Sequence, residues 1–124
     1  MRVGLLEDDI AIQEMLLLVL QDAGYAVINY ESAEECLEKL NASHQELGPT
    51  PIDLMIIDWR LNGPISGIEV IRHLRNNVRL KSLPIILTTA ASFVDLEELQ
   101  DLDVTLLEKP FSVDDITMLI NRLA

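Results

Sequence analysis

The apolar run Leu54-Met55-Ile56-Ile57 ends directly on a carboxylate, Asp58, and turn-forming residues Asn62-Gly63-Pro64 follow shortly after. Apolar runs of this kind bounded by turn signals read as strands buried on both faces, and in open α/β sheets ligands bind where such strands end. Three other strand-like runs finish on reactive side chains: Glu7-Asp8-Asp9 near the start, Thr88-Thr89-Ala90, and Glu108-Lys109-Pro110. In a right-handed parallel sheet all four groups project from one edge.

Bringing Glu7, Asp8 and Asp58 together is electrostatically costly. Two like charges about 4 Å apart repel by roughly 4 kcal/mol at an intermediate effective dielectric, so a cation is expected among them. Hard oxygen ligands without imidazole or thiolate suit Mg²⁺ or Mn²⁺, held by one or two carboxylates in an open site. Asp9 reads instead as the N-cap of the first helix. Lys109 adds a positive charge from another strand, and carboxylates, a divalent cation and a lysine are the parts that phosphoryl transfer uses. Asp58 can then serve as the nucleophile, since aspartate forms acyl phosphates. Thr89 offers a hydroxyl to a phosphoryl oxygen, and Ala90 is small enough for that oxygen to approach its backbone N–H. Thr88 competes for the role of Thr89, but alternation along a strand turns it to the opposite face.

The elements that position these residues follow from the alternation of short apolar runs with amphipathic segments, which implies a parallel sheet. The runs predict strands over Arg2–Leu6, Tyr25–Asn29, Asp53–Ile57, Pro84–Thr88 and Val104–Leu107. Helix starts are marked by capping boxes at Ser32/Glu35, Ser66/Glu69, Ser92/Asp95 and Ser112/Asp115. Ala33, Cys36, Leu37 and Leu40 share one helical face, as do Val113, Ile116, Leu119, Ile120 and Leu123. The first helix is apolar through more than one turn, Met15 to Leu20, so it is either covered by neighbours or offers a contact surface. Asn41 to Pro51 reads as a breaker-rich loop.

Bulk properties narrow the class. A chain of 124 residues with 49% hydrophobic content is expected to fold as a single domain over residues 1–124. The one cysteine, Cys36, excludes an internal disulfide, and the absence of Cys/His spacing argues against structural zinc. No run is long enough to span a bilayer and no cleavable signal is visible, so a cytoplasmic protein without membrane partners is expected. A formal charge of -12 with nine scattered Lys and Arg argues against direct nucleic-acid binding by this domain.

The acidic pair Glu7-Asp8, then Asp58, Thr89-Ala90 and Lys109-Pro110-Phe111, in this order, resembles the receiver domain of two-component response regulators across the whole chain. The resemblance implies a doubly wound, flavodoxin-like (βα)5 fold with strand order 2-1-3-4-5. It also implies a phosphoryl group taken from the phosphohistidine of a sensor histidine kinase or histidine phosphotransfer protein onto Asp58. Mg²⁺ would be held by Glu7 or Asp8, Asp58 and the backbone carbonyl of Arg60. The domain would not be a conventional enzyme, though it would catalyse its own phosphorylation and dephosphorylation. Its output would run through a homodimer, a C-terminal domain or a separate partner. The sequence departs from the family at Gly67, which falls nine residues after Asp58 rather than eight, and at Leu106, where an aromatic residue is usual. The Thr89-to-Lys109 interval is shorter by about two residues, which suggests an abbreviated fourth helix or loop. Sequence leaves the isomer of Lys109-Pro110 open.

Three alternatives belong to other classes. An aspartyl phosphatase would carry a second acid two residues after the nucleophile, where Arg60 stands. A flavin carrier would not place Glu7-Asp8-Asp9 against a phosphate. An interaction module that keeps the fold without phosphorylation remains the main rival.

Overall fold

Apolar residues on both faces of successive strands can be covered only if helices pack on each side of the sheet, and the chain folds accordingly. The computed structural model describes residues 1–44, 52–61, 63–78, 80–90, 96–99 and 101–123. Its elements are β1 (Arg2–Leu6), α1 (Ile10–Asp22), β2 (Ala26–Asn29), α2 (Ala33–His44), β3 (Leu54–Asp58), α3 (Gly67–Asn76), β4 (Ile85–Ala90), α4 (Leu96–Leu99), β5 (Thr105–Lys109) and α5 (Val113–Leu123). The strands form one parallel sheet in the order β2-β1-β3-β4-β5, the doubly wound flavodoxin-like arrangement expected from the sequence.

β1 spans the expected residues, but the other strands are displaced. β2 and β3 begin one residue later than expected, and β4 and β5 run on to Ala90 and Lys109. The cause is that the β4–β5 ladder continues through Thr89↔Glu108 and Ala90↔Lys109, where polar side chains hide the strand pattern. Asp58, Thr88, Thr89 and Lys109 therefore stand within the sheet, not beyond it.

Side chains alternate between two cores. Val3, Leu5, Leu54, Ile56, Ile86 and Leu107 pack with Leu16 and Leu20 of α1 and with Ile116 and Ile120 of α5. Leu6, Met55, Ile57, Ile85 and Leu87 face the other way, against α2, α3 and α4. Of the expected helix faces, α2 buries Ala33, Cys36, Leu37 and Leu40, whereas Val113 at the start of α5 stays 48% exposed. α1 does two things at once, burying Leu16 and Leu20 while leaving Ile10 and Leu18 outward. Burial, helped by the Glu35 charge, pushes the Cys36 thiol up to about 12.

Capping follows the sequence signals. The Glu35, Glu69 and Asp115 N–H groups donate to the hydroxyls of Ser32, Ser66 and Ser112 at 3.1, 3.2 and 3.1 Å, and the Ser112 N–H donates back to the Asp115 carboxylate at 2.9 Å. Asp9 caps α1 by accepting from the Ile12 N–H. Residues 41–44, expected to open the loop after α2, instead continue that helix to His44; the Ser92/Asp95 box, residues 45–51 and Asn62 lie outside the described residues.

At the edge opposite the strand ends, Arg75 near the end of α3 gathers loops that the sheet alone does not fix. Its guanidinium donates to the carbonyls of Leu102, Leu83, Lys81, Leu80 and Asp103 at 2.7 to 3.2 Å. Asp103 adopts a left-handed backbone, φ 51, so its carbonyl turns where the guanidinium can meet it. A lysine has no planar fork to serve these acceptors. Arg75→Ala is expected to cost about 3 kcal/mol, with Arg75→Lys recovering less than half of it in denaturant unfolding. A loss under about 0.5 kcal/mol, the size of an ordinary surface change, would contradict this role.

Candidate functional site

Three charged side chains from positions far apart in sequence meet at the carboxyl edge of the sheet. Parallel pairing places Leu6 beside Ile57, which brings Glu7, the next residue of the first strand's line, level with Asp58. Both carboxylates are buried, at 2% and 6% exposure. Lys109 reaches them from the end of β5: its Nζ lies 3.2 Å from Asp58 Oδ1 and 3.4 Å from Glu7 Oε1. Lys109 precedes a cis proline peptide.

Backbone donors complete part of the network. The Asp9 N–H donates to Glu7 Oε1 at 3.1 Å, and the Arg60 N–H donates to Asp58 Oδ1 at 3.4 Å. Gln13 of α1 donates to the Glu7 carbonyl and to Asn29 Oδ1 at 3.2 and 3.3 Å, tying the helix to the strand end. The approach of α3 to the end of β3 depends on Gly67. Its N–H donates to the Trp59 carbonyl at 3.1 Å, and a Cβ there would collide with the Asp58 carbonyl oxygen and sit 3.1 Å from Trp59 Cα. The glycine lets the loop after Asp58 close back on itself.

One ammonium does not balance two buried carboxylates. Burial first, and then the Asp58 charge, push the Glu7 carboxyl up to about 7, against the pull of the Asp9 N–H and of Lys109. Glu7 Oε2 is buried without a hydrogen-bond partner among the described residues. A buried carboxylate oxygen left unserved beside a second carboxylate is the donor set of an open site for a hard divalent cation, so the residues present fit Mg²⁺ or Mn²⁺.

Asp8 and Thr89 differ in placement from this group. Asp8 is half-exposed, and among the described residues no three His, Cys, Asp or Glu side chains gather tightly enough to hold a metal by themselves. Thr89 is 2% exposed, and its hydroxyl donates to the adjacent Ala90 carbonyl at 3.1 Å. Two residues beyond Leu87, it falls by alternation on the α2–α4 side of the sheet, the face opposite Asp58. Leu106 is partly buried on that same side. Sequence reasoning missed the Gln13 tie, and it turned Thr88 away from the site, whereas the register puts Thr88 on the same face as Asp58 and Thr89 on the opposite one. Burial of Thr88 could have been anticipated from its place in an apolar strand.

Comparisons with known proteins identify the family of the chain. Residues 3–121 match the response regulator receiver domain family. The phosphate regulon transcriptional regulatory protein PhoB of Escherichia coli is 33% identical over 89 residues, 72% of this chain but 35% of its own length, so the chain spans about a third of that relative. The chemotaxis protein CheY4 of Vibrio cholerae superposes with a TM-score of 0.82 at 27% identity, covering 99% of this chain and 98% of its own. The receiver domain of the sensor histidine kinase PA1611 of Pseudomonas aeruginosa, described with a magnesium ion in its active site cleft, shares the fold at TM-score 0.79 and 22% identity, over 98% and 95% of the two chains. The chain belongs to the response regulator receiver family. Among the described residues no helix is long and apolar enough to cross a membrane.

The raised Glu7 carboxyl predicts a pH dependence. Between about 4.5, its ordinary value, and about 7, the folded domain holds a proton that the unfolded chain has released. The stability it contributes is therefore full below 4.5 and lost as pH rises through 7. With chelator present, unfolding free energy is expected to fall by on the order of 3 kcal/mol from this group between acidic and slightly alkaline pH. Glu7→Gln should flatten that slope; a variant with the wild-type slope would remove Glu7 as its source.

Proposed function

We propose that this domain accepts a phosphoryl group on Asp58 from the phosphohistidine of a sensor histidine kinase or histidine phosphotransfer protein. The observation that carries this reading is the Lys109 ammonium shared between buried Glu7 and Asp58, 3.4 and 3.2 Å away. In the transfer a carboxylate oxygen of Asp58 bonds to phosphorus while the phosphorus–nitrogen bond of the donor breaks, returning its electron pair to the imidazole. Asp58 exchanges its own charge for that of the phosphoryl group, and Lys109 can follow the charge outward.

Glu7, Asp58 and the Arg60 backbone carbonyl would hold Mg²⁺ or Mn²⁺, with Asp8 at the exposed rim. When bound, the cation neutralises phosphoryl oxygens during transfer. Thr89 and the Ala90 N–H are the groups nearest the edge that can bind those oxygens from the other face. The Thr89 hydroxyl gives up only a local bond to the Ala90 carbonyl to do so. That movement opens or fills space beside Leu106, which biases the packing of α4 and β5 without an aromatic intermediary. The domain would work in the cytoplasm, with its output in a further domain, as the longer PhoB relative suggests, or in a homodimer or separate partner. It would also catalyse loss of its own phosphoryl group.

Incubation with acetyl phosphate and Mg²⁺ should add about 80 Da, the mass of one phosphoryl group, as read by intact mass spectrometry. Asp58→Asn should abolish the gain. No gain in the wild type, or one that survives Asp58→Asn, would leave an interaction module that uses the fold without phosphorylation. Millimolar Mg²⁺ should also raise the melting temperature, and more at neutral than at acidic pH, because protonated carboxylates bind metal poorly. A melting temperature indifferent to Mg²⁺ would count against the cation site.

A further inference from the structure

Thr88 takes no part in the chemistry described so far. It is fully buried, 0% exposed, and its hydroxyl has no hydrogen-bond partner among the described residues. A valine of nearly the same shape would fill the space without the cost of an unpaired hydroxyl, so the oxygen calls for a use.

Sheet register says where that oxygen lies. Asp58 pairs with Thr88, and Thr88 pairs with Leu107 on its other side. Ile56, Ile86 and Leu107 all face the α1–α5 core, so Asp58, Thr88 and Lys109, each two residues further along, share that face by alternation. Glu7, two residues beyond Leu5, joins the same row. Glu7, Asp58 and Thr88 thus stand abreast on three neighbouring strands spaced about 4.8 Å apart. The strand of Lys109 comes next, so the lysine reaches Asp58 from beyond β4.

We infer that Thr88 is a stand-in hydrogen-bond donor to the Asp58 carboxyl during dephosphorylation, an inference that rests on Asp58 being the acceptor. In the unmodified domain Lys109 and the Arg60 N–H serve Asp58 Oδ1, and Thr88 is idle. Once a phosphoryl group occupies one carboxyl oxygen and draws Lys109 toward itself, the other carboxyl oxygen, which would still face the cation proposed above, loses its ammonium donor. The Thr88 hydroxyl, beside it in register and free to rotate, takes that place. In hydrolysis a water oxygen bonds to phosphorus and the phosphorus–Asp58 bond breaks. The electron pair returns to the carboxylate, the water gives up its proton to solvent, and inorganic phosphate leaves. The returning charge spreads over both carboxyl oxygens, so a donor to the free one favours the transition state over the acyl phosphate.

The test phosphorylates the whole chain with acetyl phosphate and Mg²⁺, removes the donor by rapid desalting and follows loss of the phosphoryl mass. Thr88→Val should slow that loss about fivefold, the factor that one ordinary hydrogen bond confers. Thr88→Ser should keep the wild-type rate, and the melting temperature of Thr88→Val should equal or exceed that of the wild type. Thr88→Ala serves as the hydroxyl-free variant should valine crowd the strand. Equal or faster loss in the hydroxyl-free variant, or a serine variant that behaves like valine, overturns the role of Thr88 while leaving Asp58 as acceptor. A wild type that gains no phosphoryl mass overturns the acceptor reading and this inference with it.

Discussion

One ammonium held between two buried carboxylates is the constraint around which this domain is arranged. Glu7 and Asp58 are brought side by side because β1 and β3 are neighbours in the sheet, although some fifty residues of chain separate them. Their repulsion is tolerated only because Lys109 extends a four-carbon stem from two strands away, leaving its charged end between them. The site is thus built by topology: a different strand order would put the same residue types out of reach. The residual imbalance, one positive charge against two negative, is the reason a further cation is proposed at this edge.

The two faces of the sheet divide the remaining work. Charge is collected on the α1–α5 side, where Asp58, Thr88 and Lys109 follow apolar residues of that core. Thr89 and Leu106 belong to the α2–α4 side, next to the helices that a switch would shift. At the end of β4 the two threonines stand next to each other on opposite faces, one toward each side. Meanwhile Arg75 closes the far edge of the sheet with its five carbonyl contacts. Rearrangement at the carboxyl edge therefore acts against a base that is already tied.

The sequence made the fold legible because each strand is apolar and each described capping box is used. It was least informative where polar side chains remain inside regular structure. The pattern of β4 and β5 fades at Thr88 and Leu107, yet their ladder goes on to Ala90 and Lys109, because backbone pairing does not depend on side-chain polarity. Glu7, Asp58 and Lys109 were readable as a group, since charges at successive strand ends have few structural explanations. Asp8 and Thr89 were grouped with them on the same logic, but strand alternation and exposure, which only the register fixes, set them apart in this state. Arg75 was invisible for the opposite reason: an arginine on a helix usually marks a solvated face, and its five acceptors are backbone atoms that no residue type announces.

Cys36 lies sealed in the α2 side of the core, with its thiol held far from ionisation. Thiolate is the form of a cysteine that reacts with alkylating agents and oxidants, so Cys36 in the folded domain is shielded from them. This one thiol becomes available only when the packing around α2 opens. The chain consequently carries an internal clock for that opening: the pace of thiol labelling reports how often the packing around α2 gives way.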